Sequence, residues 1–255
     1  MEPAEYDILF QVEETHWWYR ALRRVLFYHL DRYLPAWRDA AILDGGCGTG
    51  ANLARLGPQV RHVGVDKAAQ ALAFCSQCGL QNLVQGDVSA LPFSSAAFSA
   101  VVSASVLYHR WVPDLDRAID ECHRVLCDGG LLFLELPAYN FLSSAHDEAV
   151  HTARRFTQRE VCDLLQSHGF QIYRISYWNT LLFPLIWLAR RSGLARSGRD
   201  FGGGKSPSGL LNSLFDLIMR FEFAFFRWLA LPFGVSLSCV ASKATGPHGT
   251  NVRRR

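Results

Sequence analysis

What the chain lacks excludes several protein classes. The N-terminal stretch MEPAEYDILFQVEETHWWYR has neither the basic start nor the apolar core of a signal peptide, so a cytoplasmic location is expected. No apolar run suits a bilayer: 181–189 is too short and Pro184 interrupts it, while 210–231 carries Asp216, Arg220, Glu222 and Arg227. No Lys/Arg stripe interleaved with aromatics marks a nucleic-acid track, and a net charge of +3 says little about partners. A disulfide framework is missing too, because the seven cysteines are odd in number and scattered, which points to a reducing compartment. Cys75-Ser76-Gln77-Cys78 has no second ligand pair beside it, so no metal site is expected. There is no internal repeat, and Gly204-Lys205-Ser206 is not a phosphate loop because Arg199 stands where such a loop needs glycine. What remains is a chain of 255 residues, 49% hydrophobic, long enough for one α/β domain with additions.

The most informative stretch is Ala40 to Gly50, AAILDGGCGTG, in which an apolar strand runs into an acid and a glycine-crowded turn. Glycines let the backbone approach a ligand closely, and a helix starting near Ala51 presents its N-terminus to the same place. Gly46 to Ala51 formally fits a dinucleotide fingerprint, with Asp66 ending the second strand where a ribose-binding acid belongs. Asp44 argues against it, since it aims a negative charge where a pyrophosphate would sit. S-adenosylmethionine suits these residues better: it has an ammonium group for Asp44, a ribose diol for Asp66 and no phosphate. Asp87 after the third strand can accept from the adenine amino group while Val88 packs on the ring. Gly45, Gly46, Cys47, Gly48, Gly50, Lys67 and Ser103 complete the expected donor site.

At these residues the chain resembles the class I S-adenosylmethionine-dependent methyltransferases of the ubiquinone/menaquinone-biosynthesis-like group. The resemblance runs from about residue 40 to 176 and includes Leu91 to Pro137, with Arg124-Val125-Leu126-Cys127-Asp128-Gly129-Gly130 at the turn where the family has RvLkPGG. Cys127-Asp128 replaces the usual Lys-Pro there. The alternation of strands and helices predicts strands near 40–44, 61–66, 82–86, 98–103, 130–136, 170–175 and 236–241. The resemblance implies an α/β Rossmann-like fold whose seven-stranded, mostly parallel sheet has an antiparallel last strand. The expected organisation is an N-terminal helical lid (1–38), the donor-binding core (39–177), an apolar helical insertion (178–234), the last core strand (235–243) and a disordered tail (244–255).

Acceptor chemistry is expected outside the minimal core. Trp17, Trp18 and Tyr19 in the N-terminal segment resemble a lid, with Tyr19 placed for a cation–π contact to the sulfonium; the competing reading is an aromatic helix face in the core. The loop 137–156 holds Tyr139, His146, Asp147, His151, Arg154 and Arg155. Either histidine could act as base with Asp147 orienting the ring, or the loop could be structural, its arginines pairing with local carboxylates. His109 is the other base candidate, beside Tyr108 on the substrate side. The insertion must bury its apolar faces against core, subunit, greasy substrate or membrane surface, with a mobile hinge over 192–209.

The expected reaction is displacement at the sulfonium methyl, yielding S-adenosylhomocysteine. The hydrophobic acceptor is expected to be a prenylated, terpenoid or related secondary metabolite methylated on carbon. Open alternatives are O-methylation of a phenol, quinone, polyketide or lipid-like acceptor, and a non-catalytic S-adenosylmethionine-binding protein. A homo-oligomer is the favoured assembly, with membrane-surface contact less favoured.

Overall fold

The structure is a computed structural model that describes residues 3–144, 147–148, 150–192 and 209–244. Its strands are β1 (Ala41–Gly45), β2 (Arg61–Asp66), β3 (Leu83–Gln85), β4 (Phe98–Ala104), β5 (Leu126–Pro137), β6 (Phe170–Trp178) and β7 (Ser236–Lys243). The helices are α1 (Pro3–Val12), α2 (Trp17–Tyr33), α3 (Ala51–Leu56), α4 (Ala69–Gln77), α5 (Leu115–Val125), α6 (Gln158–Ser167), α7 (Phe183–Arg191) and α8 (Gly209–Phe226).

Both faces of the sheet are covered, and the strands show it. Leu43, Val101 and Leu132 enter one hydrophobic core while their neighbours Ile42, Val102 and Phe133 enter the other. Side chains alternate across a strand, so a continuous apolar run is what a sheet buried on two sides requires. The strand order is β3-β2-β1-β4-β5-β7-β6. β1 to β5 pair in parallel, and β7 lies antiparallel to both β5 and β6. This is the expected seven-stranded, mostly parallel Rossmann-like sheet. Strand order reverses at β1, between β2 and β4, where a crevice opens at the carboxyl ends.

Two element boundaries differ from expectation. β5 begins at Leu126 rather than near 130, because Leu126 pairs with Phe98 before a register shift that lets Leu131 meet Ala100. The turn glycine region is thus an irregularity within a long strand. Helix α8 ends at Phe226 rather than continuing to Leu231, since the chain is drawn back to the sheet. Leu231 N–H donates to Ser176 Oγ at 2.9 Å, and Arg174 donates to the carbonyls of Phe226 and Leu229, which satisfies acceptors the helix end leaves open.

The two segments outside the minimal core pack on each other. Trp17 is fully buried, edge-on to Phe215 at 5.5 Å, in a third cluster with Met219 and Trp178. Asn212 Oδ1 accepts from Trp17 N–H at 2.9 Å and its amide donates to Thr15 O, fastening α8 to the start of α2. Asp216 is buried among Arg24 (3.0 Å), Arg220 (2.9 Å) and Arg20 (3.4 Å). Burial pushes its carboxyl up, but the guanidiniums outweigh that and hold it below the usual carboxylate range. Glu222 accepts from the backbone N–H groups of Asn179, Thr180 and Leu181, capping the entry to α7.

Candidate functional site

The crevice at the carboxyl ends holds a cavity of about 440 Å³. One end is the turn after β1. Gly46 and Cys47 N–H groups donate to Val65 O at 2.7 and 2.9 Å, which hangs the turn on β2. Gly46 has φ of 87°, and a Cβ there would stand 2.3 Å from Val106 Cγ2, so only glycine permits this approach of the turn to the exit of β4. Asp66 ends β2 with Oδ2 accepting from Gly48 N–H at 2.9 Å and Oδ1 accepting from Ala68 N–H at 2.9 Å. The Tyr6 hydroxyl from α1 also donates to Asp66 Oδ1, at 3.4 Å. Asp87 pairs with Lys67 Nζ at 2.8 Å and accepts from Ser89 N–H; these contacts overcome the effect of burial and keep its carboxyl below the usual range.

Asp44 is buried at the end of β1, and its Oδ2 has no hydrogen-bond partner among the described residues. Burial pushes its carboxyl up to about 7, partly offset by a bond from Asn52. A buried acid lacking a cation is costly. The residues therefore fit a ligand that brings a positive group to this turn.

Helices α1 and α2 and the turn between them also line the cavity, through Tyr6, Glu13, Trp18, Tyr19 and Arg23. Burial pushes Glu13 up to about 7 despite Thr49 and Arg23 nearby. Arg23 donates to Glu13 O at 2.6 Å, and burial lowers the pKa of its guanidinium. Beyond the donor turn the cavity continues past Ser105, Tyr108, His109 and Trp111 to Asp147, Arg155, Asn179, Ile186 and Arg190. Arg155 donates through Nε and Nη2 to Asp147 Oδ1 at 3.1 and 2.6 Å, and through Nη1 to Ala138 O. Ser144 N–H donates to the other Asp147 oxygen at 2.7 Å.

Of the residues expected to hold the donor, Gly46, Cys47, Gly48, Asp66, Lys67, Asp87 and Val88 line the cavity. Asp44, Gly45, Gly50 and Ser103 sit behind that lining. Among the acceptor and base candidates, Trp18, Tyr19, Tyr108, His109, Asp147 and Arg155 line it. Trp17 does not: it is in the third core. Tyr139 also lies elsewhere, stacked between Phe141 and Tyr177 at 5.0 Å from each. Arg154 ties two loops through the carbonyls of Val112 and Pro113. His151 packs edge-on to Trp111 at 5.4 Å, behind the cavity wall. His146 lies outside the described residues, as do most of the expected hinge (193–208) and the tail from 245. Asp147 was expected to orient an imidazole; among the described residues its oxygens are engaged by Arg155 and Ser144. His109 Nδ1 has no hydrogen-bond partner among the described residues, and burial pushes the ring down to about 4, so it is neutral at neutral pH.

Sequence reasoning missed Tyr6, Glu13, Arg23, Asn179 and Arg190. Each reaches the cavity from an element remote from the glycine turn, and none belongs to a motif.

Residues 43–134 match the methyltransferase domain family. A malonyl-[acyl-carrier protein] O-methyltransferase of Enterobacter lignolyticus is 36% identical over 141 residues, covering 51% of this chain and 54% of that protein. A trans-aconitate 2-methyltransferase of Deinococcus radiodurans is 34% identical over 136 residues, covering 51% and 48%. The chain thus spans about half the length of these curated relatives. The crystal structure of an S-adenosylmethionine-dependent methyltransferase from Thermotoga maritima superposes with a TM-score of 0.60 at 16% identity, covering 94% of this chain and 95% of that one. The chain shares the Rossmann-like fold of that structure, and the match over residues 43–134 together with these relatives supports an S-adenosylmethionine-dependent methyltransferase, with S-adenosylmethionine as the methyl donor they imply.

Proposed function

We propose that the protein transfers a methyl group from S-adenosylmethionine to a small, largely hydrophobic acceptor. The observation that carries this is one cavity joining a carboxylate-lined glycine turn to an apolar chamber built from segments outside the sheet. Asp44 is assigned to the donor's ammonium group, Asp66 to the ribose hydroxyls, and Asp87 with Val88 to the adenine. Arg23 is the cation available to the donor's carboxylate. When bound, S-adenosylmethionine supplies an activated methyl group and leaves as S-adenosylhomocysteine.

The chain's own contribution is orientation, exclusion of water and, for a protonated acceptor, proton removal. Tyr6, Trp18 and Tyr19 cover the turn, and the Tyr19 ring offers a cation–π contact of about 1 kcal/mol. Among the described residues His109 is the histidine candidate that faces the cavity; neutral, it can accept a proton, and its depressed basicity makes it a weak base.

Trp111, Val112, Val150, Ile186 and Val235 add apolar lining to the cavity, which supports a prenylated or terpenoid acceptor methylated on carbon. A second reading is O-methylation of an acid, supported by Arg155 and Arg190 in the same cavity and by the O-methyltransferase activity in the name of one relative. Carboxylate methylation needs no base, so His109→Gln would leave it intact; O-methylation of a phenol would be suppressed. Calorimetry with S-adenosylmethionine on wild type and Asp66→Ala, with NAD as competitor, tests the donor assignment. Micromolar binding lost in the variant is the expected result; preference for NAD would overturn it.

A further inference from the structure

Helix α8 has two apolar faces. Phe215, Met219 and Phe226 are buried against α2 and β6, as are the two acids Asp216 and Glu222. On the opposite side Leu210, Leu214, Leu217, Phe221 and Phe225 recur every three or four residues, all exposed. Trp228 just beyond is 79% exposed and Leu210 at the start is 89% exposed. The neighbouring helix α7 exposes Leu185, Trp187 and Leu188. Scattered apolar residues on a surface need no explanation, but an aromatic and aliphatic stripe running the length of one helix face does.

The segments between and after these helices are poor in large apolar side chains. Residues 193–208 contain only Leu194 and Phe201 as large apolar side chains, and 245–255 only Val252. Among the described residues of the insertion, the exposed charges are of one sign. Arg191, Arg220 and Arg227 are exposed beside it, with Arg191 over the Trp187 ring at 5.9 Å. Two of the insertion's three acids, Asp216 and Glu222, are turned inward, so its outer surface is apolar with a basic rim.

We infer that α7 and α8 dock the protein on an anionic membrane surface. An apolar helical face with tryptophan and phenylalanine, flanked by arginine, buries itself at the headgroup boundary while the cations meet anionic lipid. A second copy of the chain would instead set one basic rim against another, which disfavours self-association through this face. The protein would lie on the surface, since among the described residues no helix is long and apolar enough to cross a membrane. The inner side of α7 supplies Ile186 and Arg190 to the cavity, so the helix that meets the lipid is also a wall of the acceptor chamber.

The test is flotation of the full chain with phosphatidylcholine vesicles containing phosphatidylglycerol and with phosphatidylcholine alone. Wild type should float with the anionic vesicles, lose binding as salt rises, and bind neutral vesicles roughly tenfold less. The combined substitution Leu217→Glu, Phe221→Glu and Trp228→Glu changes only exposed side chains and should abolish flotation, with circular dichroism and donor affinity unchanged. Failure of wild type to float, or undiminished flotation of the variant, overturns the inference. So does a dimer in light scattering that the variant converts to monomer, which would assign the face to a second copy. Donor affinity is read separately, so failure of the methyl-transfer proposal would not be confused with either outcome.

Discussion

The two ends of the cavity are built in different ways. At the donor end, Asp44, Asp66 and Asp87 stand at or just after the carboxyl ends of β1, β2 and β3; backbone N–H groups of Gly48 and Ala68 hold Asp66, and that of Ser89 holds Asp87. At the acceptor end, Arg155, Asn179 and Arg190 come from two connections and a helix; Arg155 is held by Asp147 and Ala138 of the loop it closes, while Asn179 and Arg190 are held by contacts across long stretches of chain. Arg190 donates to Leu142 O at 2.7 Å, and Asn179 N–H donates to Glu222 on α8. The first end is a property of the sheet. The second exists only while the additions stay packed, so damage at the donor end should appear as lost affinity and damage at the acceptor end as lost stability.

Arg155→Leu gives the largest expected effect and tests that contrast. It leaves the Asp147 carboxylate buried without its cation, which should cost about 3–5 kcal/mol in urea denaturation. A loss of donor affinity with full stability would break the comparison. Gly46→Ala is next. The positive φ alone costs about 1–3 kcal/mol in a non-glycine residue, and its Cβ collides with Val106. S-adenosylmethionine affinity in calorimetry should fall on the order of a hundredfold, and adding Val106→Ala should recover part of it.

The third prediction concerns pH. Asp44 and Glu13 are both held up to about 7, so between the ordinary carboxylate range and 7 the folded chain binds more protons than the unfolded one. The stability this contributes is fully present below the unfolded pKa and is lost as pH rises through 7. The ligand works in the opposite sense, because a cationic donor prefers ionised Asp44. Donor affinity should therefore rise roughly tenfold from pH 6 to 8, and Asp44→Asn should weaken binding and flatten that slope. The smallest effect is expected from Trp111→Ala, with acceptor KM raised less than about tenfold and donor Kd unchanged; a shift in donor Kd would mean that the two ends are coupled.

The same contrast governs what could be read from the amino acids. The run AILDGGCGTG, the strand-ending Asp66 and Asp87-Val88 are contiguous signals, and a glycine turn between an apolar strand and a helix has few structural solutions. The capping box in which Thr157 and Glu160 bond reciprocally places the start of α6 with equal directness. Trp17 and Trp18 show the limit. They are adjacent and chemically alike, yet one is sealed against Phe215 and the other faces the cavity, because successive helical positions differ by about 100° and only the location of α8 decides which way is in.

By itself, then, the sequence determined the strand order's raw material, the donor turn and the acids that serve it, since each depends on residues near in the chain and on backbone sterics. Only the tertiary structure decided that Glu13 and Arg23 face the donor turn, that Asp147 pairs with Arg155, and that α8 turns its acids inward and an apolar stripe outward. Those outcomes depend on burial, and burial is settled by which distant segments come to lie on one another.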